Sequence, residues 1–204
     1  MADAEGLGAL SMQRLAERLG FTKMSLYRYV PGKEQLTALM LDAAIGTPPS
    51  AAGTQPQWRT GLRTWTEAIY ARYQAHPWTI ELARGLRPFG PNEMAWTEAA
   101  LTALSDTGLT GPEKLDTIVL LNGHARGLAQ QVPSADPHRF AEQFTEMMAA
   151  AADHCPAARA AFAEEAAATG GRHDALAFGI ERILDGLAVL IDQRRTLVPP
   201  RPAS

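Results

Sequence analysis

Disulfide chemistry is missing from this chain, whose 204 residues include a single cysteine, Cys155. One thiol forms no internal disulfide, and none of its neighbours stands at a zinc-ligand spacing, so it reads as a buried or incidental group. No apolar run approaches the roughly 18 to 20 residues of a membrane span. The start "MADAEGLGAL" lacks the basic opening and apolar stretch of a signal peptide, which makes the cytoplasm the expected compartment and a membrane partner unexpected. Alternation of period two between turns is nearly absent, which argues against a sheet. The sequence contains no GxSxG, no P-loop and no HExxH. "GLGALS" imitates the start of a dinucleotide fingerprint, but it follows no strand and ends on Ser11. The five histidines are scattered, and the adjacent His154 and Cys155 point about 100° apart on a helix, which does not suit one metal. Enzymatic activity, a cofactor and a metal are therefore not expected.

What is present is 46% apolar and 20% charged, enough to bury a core in one large or two modest domains. The net charge of −3 hides an uneven distribution. Residues 11–33 hold Arg14, Arg18, Lys23, Arg28 and Lys33 against Glu17 alone, for +4, while the remainder sums to −7. A small basic module is joined to an acidic body.

Apolar residues recur at spacings of three and four throughout, which predicts an all-α chain. Ser11 caps a first short helix with Leu15, Ala16 and Leu19 on one face and Gly20 as its stop; Thr22 caps a second that runs to Pro31-Gly32. A third, "KEQLTALMLDAAI", sets Leu36, Leu39, Met40 and Ala43 on one side. Residues 47–57 are rich in Pro, Ser and Gly and read as a linker. Beyond it Trp58, Leu62, Trp65, Ile69 and Tyr73 form a stripe ended by His76-Pro77. Helices follow at about 78 to 85, 92 to 106 and 112 to 131. Two more close the chain, one facing inward with Phe140, Phe144, Met147, Met148 and Ala151, the last with Ile180, Ile183, Leu184, Leu187, Leu190 and Ile191. Gly170-Gly171 lies between them, and residues 196–204 form a tail.

Two short helices joined by "LGFT", the second basic, make a helix-turn-helix whose second helix fits a DNA major groove. Such a helix needs long polar heads for base edges, here Lys23, Ser25 and Arg28, and phosphate donors at its flanks, here Ser11, Tyr27, Tyr29 and Lys33. The same charge pattern also suits a solvated helix face, or an adaptor or ligand-binding protein whose motif contacts protein. The run "LSMQRLAERLGFTKMSLYRYVPGKEQLTALMLDA" resembles the DNA-binding domain of the TetR family of bacterial transcriptional regulators, most distinctively in "SLYRYVPGKEQL". The resemblance implies that Gln13, Lys23, Met24, Ser25 and Arg28 read bases and that Ser11, Tyr27, Tyr29 and Lys33 hold the backbone. Met24 stands where the tetracycline repressor has proline, and Arg28 where it has an aromatic, so a different operator is expected.

That resemblance extends more loosely to residues 58–195, through "GLRP" and "FGIERILDGL". It implies a reading module of residues 1–46 and a body of residues 58–195 that binds a small molecule and dimerises. The expected function is a ligand-responsive regulator, a repressor released from a palindromic operator. Pocket positions implied are Trp65, Ile69, Leu86, Arg87, Trp96, Val119, Gly123 and His124; Trp65 and Ile69 also suit the core, and His124 a hydrogen-bonded core histidine. Arg87, just before Pro88, is placed to meet a ligand carboxylate or keto group. Ala83 stands where the tetracycline repressor has a metal-binding histidine, which argues against a magnesium-tetracycline ligand. The wide apolar faces of the last two helices suit a homodimer through Phe144, Met148, Ile180, Leu184, Leu187 and Ile191. Family members carry a helix before the motif, and "MADAEG" reads as only its final turn, which would leave Leu36, Leu39 and Met40 under-covered. The natural chain is then expected to start upstream of Met1, unless the body or a partner supplies that cover.

Overall fold

The computed structural model describes residues 1–49, 57–84, 87–131, 139, 143, 145–148, 154–167 and 174–197, and every regular element among them is helical. The elements are α1 (Ala2–Glu5), a 3-10 turn (Leu7–Ala9), α2 (Met12–Arg18), α3 (Lys23–Tyr27), α4 (Lys33–Ile45), α5 (Trp58–Ala75) and α6 (Trp78–Leu82). After these come α7 (Pro91–Ala103), a 3-10 turn (Ser105–Thr107), α8 (Gly111–Ala129), α9 (Pro156–Ala167) and α10 (Ala175–Leu197). Residues 139, 143 and 145–148 are also helical. Leu86, Phe140, Phe144, Ala151, Gly170 and Gly171 lie outside the described residues, as do most of the linker and tail.

Local chemistry sets the boundaries. Ser11 Oγ accepts from the Arg14 amide and Thr22 Oγ1 from the Ser25 amide, each at 3.2 Å, so both helices of the motif start on capping hydroxyls. Between them Gly20 has φ of 72°, a left-handed turn that residues with a Cβ rarely adopt. Helix α3 stops at Tyr27, one turn before its expected end. The amides of Tyr29 and Val30 both donate to the Leu26 carbonyl at 3.0 Å, and Pro31 disfavours helical geometry at Val30. Thr110 and Glu113 form a capping box at the start of α8. Arg194 of α10 also pairs with Glu113, and these contacts, the guanidinium first, hold the Glu113 carboxyl down at about 2. The folded-state pKa is lowered, so its stabilisation is complete above about pH 4.5 and is lost as pH falls toward 2. Glu113→Gln should therefore flatten the acid limb of the stability curve in that window, as read by denaturant titration at each pH.

Two apolar clusters form. The smaller gathers Leu10, Met12, Ala16, Leu26 and Leu36, with Met1, Leu15, Val30 and Met40 at its edge. The larger is built on the α5 stripe of Leu62, Trp65, Ile69 and Tyr73, packed against Leu121 and Ala125 of α8 and Ile180, Leu184 and Ile191 of α10. Helix α4 belongs to both, placing Leu36 in the first and Leu41 and Ile45 in the second. That changes the expected face of α4. Leu39 is exposed and Ala43 faces out, while Leu41, Asp42 and Ile45 turn inward. Leu19 is likewise exposed, and the buried face of α2 is made by Met12 and Ala16. A second link joins the motif to the body. Trp78 Nε1 donates to Asp3 Oδ1 at 2.6 Å and His76 Nδ1 meets the same oxygen at 2.7 Å, which together lower the Asp3 pKa, the His76 contact most.

Helix α9 corresponds to none of the stripes read from the sequence. "PAARAAFAEEAA" buries no residue, so it carries no apolar stripe, although its alanines favour helix strongly. Cys155, just before it, is exposed.

Candidate nucleic-acid interface and effector cavity

Helix α3 is pinned by Leu26 and half-buried Val30 and turns its remaining side chains outward. Lys23, Met24, Tyr27, Arg28 and Tyr29 are exposed, with Met24 the most open of the large apolar side chains among the described residues at 78%. Ser25 is half-buried and Lys33 exposed at the start of α4. Lys23 Nζ lies 5.8 Å from the Tyr27 ring centre and the Arg28 guanidinium 5.2 Å from that of Tyr29. Arg28 also donates to the Tyr29 hydroxyl at 3.2 Å. Each cation is thus steered by a neighbouring ring and keeps its charge available.

The five cations of the motif divide into two groups. Glu5 pairs with Arg14 at 2.6 Å and Arg18 at 3.4 Å, whereas Lys23, Arg28 and Lys33 have no carboxylate partner among the described residues. Gln13 donates to Glu17 at 2.6 Å, and the hydroxyl of half-buried Ser11 serves the α2 cap.

In the body, Trp65, Ile69 and Trp96 of the expected pocket set meet in the larger core, whereas the other described members are engaged elsewhere or face outward. Ile69 is in the core. Trp65 and Trp96 meet edge to face, with centroids 5.7 Å apart; Trp65 Nε1 donates to the Trp96 carbonyl and Trp96 Nε1 to the Gly46 carbonyl, each at 2.8 Å. Arg87 is engaged by Glu93 in a two-pronged pair, one arm at 2.7 Å, which raises its pKa and occupies both terminal nitrogens, while its buried Nε has no hydrogen-bond partner among the described residues. His124 Nε2 lies 3.2 Å from the Leu176 carbonyl, tying α8 to α10. Val119 and Gly123 face outward. Ala83 is half-buried against the core.

A cavity of about 730 Å³ opens instead between α5 and α7. Trp58, Gly61 and Trp65 line it from α5 and Ala95, Ala99 and Ala103 from α7, while Thr60, Thr64, Thr102, Glu98, Asp106 and Arg195 supply polar groups. Among the described members of the expected set, only Trp65 reaches it. Small residues at 95, 99 and 103 on one helix face signal such space, and periodicity read for bulk passes over them.

The interface residues also need correction. Ile180, Leu184 and Ile191 are buried within the single chain, against α5 and α8, so they are not its outer surface, whereas Leu187 reaches the floor of a surface groove between α8 and α10. Met148 is half-buried. The exposed apolar side chains nearby are Leu115, Val119 and Leu120 on α8 and Val189 on α10, flanking a groove that Ile183, Gly186 and Leu190 line.

Residues 1–40 match the family described as bacterial regulatory proteins, tetR family, and residues 51–191 match the tetracyclin repressor-like C-terminal domain. The chain belongs to the TetR family. Members are ligand-responsive DNA-binding regulators, and the function of this chain is of that kind. It is 35% identical over 206 residues to the HTH-type transcriptional repressor DrrR1 of Streptomyces coeruleorubidus, spanning 96% of this chain and 76% of that one. Apo ActR from Streptomyces coelicolor has the same fold, with a TM-score of 0.78 and 25% identity over 94% of this chain and 90% of that one. ActR in complex with actinorhodin gives a TM-score of 0.75 at 25% identity, over 93% of this chain and 92% of that one. No described helix of this TetR-family chain is long and apolar enough to cross a membrane.

Proposed function

We propose that this regulator is a repressor, catalysing no reaction and acting in the cytoplasm where its DNA lies. As a homodimer it holds a palindromic operator through two copies of α3 and releases it when a small molecule enters the cavity between α5 and α7. The observation that carries the DNA reading is the exposed α3 face, with Lys23, Arg28 and Lys33 free of carboxylates. Lys23, Met24, Ser25 and Arg28 are assigned to base edges, and Tyr27, Tyr29 and Lys33 to phosphates. Gln13 and Ser11 join them once their bonds to Glu17 and the α2 cap are shared with DNA. Met24 suits a thymine methyl and Arg28 a guanine edge. Residues 1–46 form the reading module, and the second copy is received on Leu115, Val119, Leu120 and Val189. The repressor assignment is supported by the likeness to DrrR1, and the effector assignment by the cavity and the likeness to ActR, which binds actinorhodin.

The test is to select a duplex from random sequence and titrate binding against salt. Each neutralised phosphate contributes a slope of about −0.9 in log affinity against log salt, so several contacts per half-site give a steep loss. A flat salt response, with no duplex enriched, would favour the rival in which the motif contacts protein.

A further inference from the structure

We propose that Asp42 is the positioning residue through which the cavity sets the DNA-reading head; this rests on taking that cavity as the effector site. Asp42 lies on α4, is only 7% exposed, and meets the first turn of α7. Its Oδ2 accepts from Asn92 Nδ2 at 3.0 Å and its Oδ1 from the Glu93 amide at 3.1 Å, while Asn92 Nδ2 also reaches the Asp42 carbonyl at 3.1 Å. A carboxylate at the amino end of a 13-residue helix faces the positive end of its dipole. The approach requires Gly90, since a Cβ there would stand 2.2 Å from Asp42 Oδ1. Glu93 accepts from the Gly90 amide at 3.1 Å and binds Arg87, which fixes the turn that delivers these donors.

The helix that holds Asp42 by its first turn lines the cavity one turn later, through Ala95, Glu98, Ala99 and Thr102. Trp96, between those positions, is bonded to Gly46 at the end of α4. Helices shift as rigid units, and a buried carboxylate is costly to leave without donors, so α4 follows α7 and the bonds persist. At its other end α4 places Leu36 against Leu26 of α3. A ligand that displaces α7 therefore displaces the reading helix.

A double-mutant cycle on the selected duplex tests this, with Ala99→Trp filling the cavity in place of a ligand and Asp42→Asn disturbing the latch. In Asp42→Asn the new amide sets a donor against the donors of α7 while keeping the volume. Fluorescence anisotropy gives operator affinity, and 1-anilinonaphthalene-8-sulfonate reports the cavity. Ala99→Trp should weaken operator binding about tenfold alone but less than about twofold on Asp42→Asn. Equal losses in both backgrounds, or no loss in the parent, would overturn the proposal. Dye binding that survives Ala99→Trp would instead refute the cavity as the effector site, leaving the cycle to judge Asp42. Should Asp42→Asn fail to fold, Asn92→Ala removes two of the three bonds from the body side and should give an intermediate loss; an undiminished one overturns the proposal.

Discussion

Val119→Arg should yield a folded monomer whose operator affinity falls by about three orders of magnitude or more. Val119 is 69% exposed, so an arginine there costs the single chain little, unlike a charge at the fully buried Leu184, which would unfold it. In the proposed dimer the same arginine lies on an apolar face beside Leu115 and Leu120 and loses its water without gaining a partner. A monomer grips one half-site at a time. Specific affinities of about 10⁻⁸ to 10⁻¹¹ M then fall toward the non-specific range of about 10⁻⁴ to 10⁻⁶ M. Sedimentation and anisotropy on one sample suffice, and a dimer with intact binding would move the interface off α8.

The next largest effect separates reading from gripping. Arg28→Ala should cost about 1 to 3 kcal/mol at each half-site if it pairs with a guanine, so a dimer loses about 2 to 6 kcal/mol, and base preference should relax at that position. Lys33→Ala should instead weaken all duplexes alike and reduce the salt slope by about one unit per half-site. Arg28 gives one of its five N–H donors to the Tyr29 hydroxyl, 3.2 Å away, which orients the guanidinium. Tyr29→Phe therefore provides an internal comparison, keeping the ring and deleting that bond. Identical profiles for the arginine and lysine variants would show that the two roles are misassigned.

The helices were legible where a capping hydroxyl met an apolar stripe. Ser11, Thr22 and the Trp58 to Tyr73 series mark α2, α3 and α5 because each signal is local and repeated. The reading face was legible for the same reason: charge and aromatics crowd one short helix. The body's sites were less so. Ile180, Leu184, Leu187 and Ile191 form a wide apolar stripe, but a stripe says only that something covers it, and here α5 and α8 of the same chain do. Arg87 has the reach for a ligand acid, yet Glu93, six residues on, takes both its terminal nitrogens. Asp42 gave no sign at all, because a carboxylate on a helix reads as solvent-facing until the turn at Gly90 is seen to press against it.

That α4 sits in both apolar clusters has a consequence for how the protein melts. The reading module's own cluster has five buried apolar residues, and units this small rarely hold together unaided. It is anchored by Leu41 and Ile45 in the larger core, and by Asp3 on His76 and Trp78. Heat or denaturant should therefore dissolve head and body in one cooperative step. Amides near Leu36 should exchange with solvent as slowly as those near Leu62, and a fragment of residues 1–46 should be largely unstructured in solution.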